Sequence, residues 1–246
     1  MDPAVTDGVN WAGLLMMAGL VVLFALMAWF LVIKPDRINS KGLAAMAQRR
    51  GWALTRTVAR LGRGSKIRLV PQDGGGWSCV VTRYSRMEGG GTIRTTEFES
   101  PRALLPQGMV LIGPAIADAS ARTAEKMLSQ MGGMLEEMLL KKLLGADAAA
   151  EGAGLRLVAD AAPGVTVFAT TGTPAAELTQ MFVPLTADWR TTYRDQQMFP
   201  ILIATPARTR LRLRVDASNP AMLEAFVDTA VLLHEAGPGI IRQRAR

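Results

Sequence analysis

Residues 12–33, AGLLMMAGLVVLFALMAWFLVI, form an apolar run without a single charged side chain. At a helical rise of about 1.5 Å per residue the run reaches roughly 33 Å, enough to cross a hydrocarbon core of about 30 Å, so the pattern predicts a transmembrane helix. Trp11 at one end and Trp29 with Phe30 near the other suit the two membrane–water interfaces, and Lys34 can snorkel at the second. A cleaved signal peptide would need a basic leader and a shorter apolar core. Residues 1–11 instead carry Asp2 and Asp7 and no Lys or Arg, and the run continues past Ala25 and Ala28 to Ile33.

Basic residues stay on the cytoplasmic side of a membrane, and Lys34, Arg37, Lys41, Arg49 and Arg50 all follow the run. The expected arrangement is a single pass through an inner membrane, with tail 1–11 outside and residues 34–246 in the cytoplasm. The one cysteine, Cys79, agrees with a reducing compartment. Gly13, Ala18, Gly19, Ala25 and Ala28 are small enough to admit a second helix at close range, from another membrane protein or another copy, although no GxxxG spacing is present.

Beyond the run the periodicity changes several times. In the juxtamembrane stretch 34–51, Ser40 is placed to cap a short helix that Gly51 ends. Residues 52–144 are expected to form a first α+β unit. WALTRTVARL, SKIRLVPQ, WSCVVTRYSRME and TIRTTEFES read as strands separated by glycine turns, the last two as a hairpin, with GMVLIGP as a further strand. From Ile116 to Leu144 the apolar positions follow a helical period that includes Met127, Met131, Met134 and Met138, a stripe suited to helix packing or an adaptable groove.

Small, polar residues 145–154 read as a linker, and 155–246 as a second α+β unit. Its strands are LRLVA, VTVFA, FPILIA and RLRLRV. A short helix follows Thr173 and Pro174, and a last helix runs from Asn219–Pro220 to Gly237, burying Leu223, Phe226, Val227, Ala230 and Leu233. The fold class is therefore α+β, with antiparallel strands and amphipathic helices. Similarity between MVLIGP and PILIATP raises a duplication of the two halves.

Chemistry is constrained by what is scarce. One histidine, His234, and one cysteine exclude four-cysteine, mixed and two-histidine metal sites, and no cofactor is expected. GRGSK at 62–66 lacks the P-loop spacing, and the other glycine runs precede no helix as a dinucleotide site requires. His234 has no nucleophile motif beside it. Glu97 and Glu99 share a strand face, which alone does not establish acid–base work.

The net charge of +7 calls for an anionic neighbour. Nucleic acid is not expected, because aromatic residues are few and no stacking motif accompanies the basic strand. Arg208, Arg210, Arg212 and Arg214 alternate with apolar residues and line one strand face, while Arg49 and Arg50 end the juxtamembrane helix. Both sets are candidates for contact with lipid headgroups or an acidic partner. The expected role is a non-catalytic accessory, assembly or stabilising subunit of a membrane complex. An anionic-lipid sensor and a membrane-anchored enzyme of unrecognised class are the alternatives.

Overall fold

The computed structural model of the chain describes residues 17, 20, 34–58, 64–85, 92–117, 119–126, 138, 141, 151–159 and 161–244. Residues 1–45 form one compact unit and 46–246 another. Among the described residues no helix is long and apolar enough to cross a membrane. The run 12–33 lies outside them except for Met17 and Leu20, both helical and exposed.

The chain is a mixed α+β protein, and its described residues build a nine-stranded sheet. In chain order its strands are β1 (Trp52–Val58), β2 (Gly64–Pro71), β3 (Ser78–Ser85), β4 (Thr92–Ser100), β5 (Val110–Pro114), β6 (Arg156–Leu157), β7 (Val165–Ala169), β8 (Ile201–Ala204) and β9 (Thr209–Leu213). Their order across the sheet is β1-β2-β3-β4-β9-β8-β5-β7-β6, every neighbour antiparallel. The expected β3–β4 hairpin is present, with Thr82 opposite Thr95, and β8 and β9 form another antiparallel pair. The expected pair of separate units at 52–144 and 155–246 is replaced by one interleaved sheet. β9 pairs with β4 of the first stretch, and β5 of the first stretch sits between β8 and β7 of the second.

Helix α1 spans Lys34–Arg49, so Ser40 lies inside it rather than capping it, and Gly51, at φ +65°, follows its C-terminal turn. Helix α2 (Ala175–Leu185) begins at Pro174 and is followed by α3 (Ala187–Thr192). Helix α4 spans Pro220–Arg244. Its start is as expected: Asn219 Oδ1 accepts hydrogen bonds from the Ala221 and Met222 amides at 3.0 and 3.3 Å, and Pro220 needs no donor in the first turn. Its end is not, because the helix runs on through Gly237-Pro238-Gly239. A proline inside a helix removes one backbone donor at a cost of about 3 kcal/mol, which a helix of this length can absorb.

One sheet face holds Leu69, Cys79, Val81, Phe98, Leu202, Leu211 and Leu213, all buried, with α2, α3 and α4 packed on that side. All five positions expected on the buried side of α4 are at most 2% exposed, and Phe226 meets the edge of Trp189 at 5.8 Å. The opposite face changes character along the sheet. At the β8, β5, β7 and β6 end, Phe168 and Ile203 join Met109 and Leu155 in a small apolar cluster, against which Ala124 of helical segment 119–126 packs. In the middle, β4 and β9 place carboxylates beside arginines, and at the β1–β3 end that face holds Thr55, Thr57, Lys66 and Arg68, only partly covered or exposed.

Gly108 shows how tightly the β5 approach is held. Its φ is +70°, a conformation that side-chain-bearing residues rarely adopt, and a Cβ there would strike the Thr170 hydroxyl and come within 2.8 Å of Thr173 Cγ2. The Thr170 hydroxyl meanwhile accepts the Met109 amide at 2.9 Å.

Candidate functional site

Strand β4 sets what the arginines of β9 face. The register sets Glu97 opposite Arg212 and Glu99 opposite Arg210, so the carboxylates and guanidinium groups share one face. Arg212 Nη2 lies 2.5 Å from Glu97 Oε2, and Arg208 Nη1 lies 2.7 Å from Glu99 Oε1. Arg210, between them, is the enclosed member, its side chain 7% exposed with Nη1 3.8 Å from Glu97 Oε1. Its Nε and Nη2 are buried without a hydrogen-bond partner.

Burial pulls the Arg210 pKa down, Glu97 opposes that most strongly, and the flanking Arg212 and Arg208 add to it while Glu99 counters. Guanidinium remains charged in proteins even so, and the ladder therefore concentrates three cations against two carboxylates. Arg214 falls beyond β9, where its amide donates to the Gln197 carbonyl at 3.2 Å. On the other side of β9, Thr209, Leu211 and Leu213 are buried as the alternation requires.

Arg49 and Arg50 pair with α4. Arg49 Nη2 lies 2.7 Å from Glu224 Oε2, Arg50 Nε lies 3.5 Å from Glu224 Oε1, and Arg50 also pairs with Asp228. The Arg50 guanidinium stands 5.2 Å from the Trp52 ring centre, a cation–π distance, and Trp52 meets the edge of Trp77 at 5.5 Å. Arg49, Arg50, Trp52, Trp77 and Asp228 line an open cleft of about 510 Å³ together with Arg102, His234 and Glu235.

His234 and Ser100 were not joined by any sequence spacing, being 134 residues apart, yet Ser100 Oγ and His234 Nδ1 lie 2.6 Å from each other in the interior. The Ser100 hydroxyl also accepts the Arg102 amide at 3.1 Å, and the imidazole tautomer sets which of Ser100 and His234 donates to the other. Burial, then Arg102, lower the His234 pKa, and Glu235 opposes them, so the fold favours the neutral ring. Ser100 is fully buried, which keeps a reacting carbonyl from reaching its hydroxyl; the pair fastens β4 to α4. His234 lies within α4 and continues the buried stripe Leu223, Phe226, Val227, Ala230 and Leu233, a signal the sequence did contain.

Burial drives the Cys79 thiol pKa upward, with Glu97 adding to the effect, so this thiol is not a ready nucleophile. Among the described residues no group of three or more His, Cys, Asp or Glu stands close enough to hold a metal ion. Of the methionine stripe, Met138 is helical and exposed, while Met127, Met131 and Met134 lie outside the described residues, as do Gly13, Ala18, Gly19, Ala25 and Ala28. Comparison of the chain with protein-family models, curated proteins and solved structures finds no match.

Proposed function

We propose that this chain is a single-pass membrane subunit that assembles or stabilises a larger membrane complex through a non-catalytic cytoplasmic module. The observation that carries the reading is the charge-free run 12–33, long enough to span a bilayer and followed at once by Lys34, Arg37 and Lys41. In this reading residues 12–33 form a transmembrane helix that precedes the sheet domain.

The chemistry of the ionisable groups supports a binding role over a catalytic one. Glu97 and Glu99 neutralise arginines of their own sheet, Ser100 is enclosed with His234, and the Cys79 thiol is held protonated. Groups held in this way order a scaffold. The partners expected are the bilayer and another membrane protein, with the small-residue face of 12–33 and the methionine stripe as the surfaces for protein contact.

Alkaline carbonate extraction of membranes from cells making the intact chain tests the anchor. The chain is expected to stay in the membrane pellet, and protease added from the cytoplasmic side should remove residues 34–246. Quantitative release into the carbonate supernatant would overturn the spanning reading.

A further inference from the structure

With Arg208, Arg210 and Arg212 drawn against Glu97 and Glu99, outward-facing cations are found elsewhere. Segments 55–58, 64–68, 80–85 and 92–95, the adjoining projecting ends of β1–β4, carry Arg56, Lys66, Arg68, Arg83 and Arg94 and no Asp or Glu. Arg83 and Arg94 stand directly opposite each other in the β3–β4 register, an arrangement of like charges that disfavours the pairing. Arg83 reaches Asp216 only at 3.9 Å, and Lys66, Arg68 and Arg94 make no ion pair among the described residues.

The same end exposes apolar groups. Val58, Tyr84 and Ile93 are 58%, 42% and 40% exposed, and Tyr84 lies opposite Ile93 on one face. Gly64 sits opposite Tyr84 on β2, where an added Cβ would strike the ring, so the aromatic group lies across the glycine. A tip that combines exposed aliphatic and aromatic groups with cations on both faces has the chemistry of a water–headgroup interface, where rings sit among the headgroups and Lys and Arg meet their phosphates.

We propose that the projecting end of β1–β4, with Arg83, Arg94, Lys66 and Arg68 around Tyr84 and Ile93, docks tip-first into an anionic phospholipid surface. This rests on the membrane-anchored reading, since a tether keeps such a surface at high local concentration. Charge complementarity selects anionic lipid over neutral lipid. With Tyr84 the one exposed aromatic residue on these segments, the tip lacks the stacking platform that single-stranded nucleic acid uses.

The test uses the full-length chain with Ile93→Cys carrying an environment-sensitive dye; Cys79 is buried and stays unlabelled. The protein is reconstituted in vesicles of phosphatidylcholine alone or mixed with phosphatidylglycerol. The expected result is a blue shift and protection from acrylamide quenching only with phosphatidylglycerol, reversed by added salt. Arg83→Gln with Arg94→Gln should lower the ratio of docked to undocked tip about 30-fold, at roughly one charge's worth of surface attraction for each arginine, while thermal unfolding shows the fold retained.

Equal dye accessibility in both lipids would overturn the proposal and leave an acidic protein or nucleic acid as the neighbour of these cations. Protection already present in detergent would overturn it in favour of a second copy. Carbonate extraction of the same labelled vesicles reports separately on the anchor. If the chain is released, the dye still reads whether the tip touches anionic lipid from solution.

Discussion

Glu97→Gln is expected to destabilise the folded chain by about 3–5 kcal/mol, read as a lowered midpoint of urea unfolding. The variant keeps the size of the side chain and removes one charge. That charge is the nearest compensation for Arg210, whose side chain is 7% exposed and whose Nε and Nη2 already lack partners. It also pairs with Arg212 at 2.5 Å. Without it, Arg210 loses its nearest carboxylate, and an enclosed cation left without its partner is far more costly than the pair is worth. Glu99→Gln should cost about 0–1 kcal/mol, since Glu99 and Arg208 are 40% and 35% exposed and water screens them. Arg210→Met placed in the Glu97→Gln background should recover most of the loss. Equal costs at positions 97 and 99, or no recovery by the methionine, would show that Arg210 is not the group Glu97 compensates.

The second large effect lies at Ser100. Ser100→Ala is expected to cost about 1–3 kcal/mol, because His234 Nδ1 would remain enclosed with its 2.6 Å partner removed. A pH dependence accompanies it in the natural chain. Burial and Arg102 lower the His234 pKa in the fold below its ordinary value of 6.5. Above that value both folded and unfolded chains are neutral at this position. As pH falls through it, the unfolded chain takes up a proton first, so stability declines from about pH 6.5 toward the lower folded pKa, by at most about 1.4 kcal/mol per pH unit. His234→Gln should flatten this part of the stability profile. A profile unchanged by that substitution would assign the acid loss to other groups.

How much of this was legible in the sequence depends on the range of the interaction that decides it. β1 to β4 follow local runs of β-branched and aromatic residues broken by glycine, and the β3–β4 hairpin needs only its two neighbours. The buried side of α4 follows from one helix period, and its start from Asn219. Sheet order is decided by partners far apart in sequence. Nothing local says that β9 inserts between β4 and β8, and without that pairing Glu97 and Glu99 look like a solvated strand face while the arginines look like a docking surface. The interleaving of the two halves was hidden for the same reason. Ser40 illustrates a further limit, since its helix-capping chemistry is real but the surrounding residues continue the helix on both sides of it.

The central claim is that the cytoplasmic module holds this chain in a membrane complex. Its most direct test is extraction of the tagged full-length protein at native abundance in mild detergent, followed by a native gel and mass spectrometry, with an anchor-only chain as control. The account predicts a discrete complex with stoichiometric companions that the anchor alone does not retain. A lone, monodisperse chain under several gentle extraction conditions would contradict it.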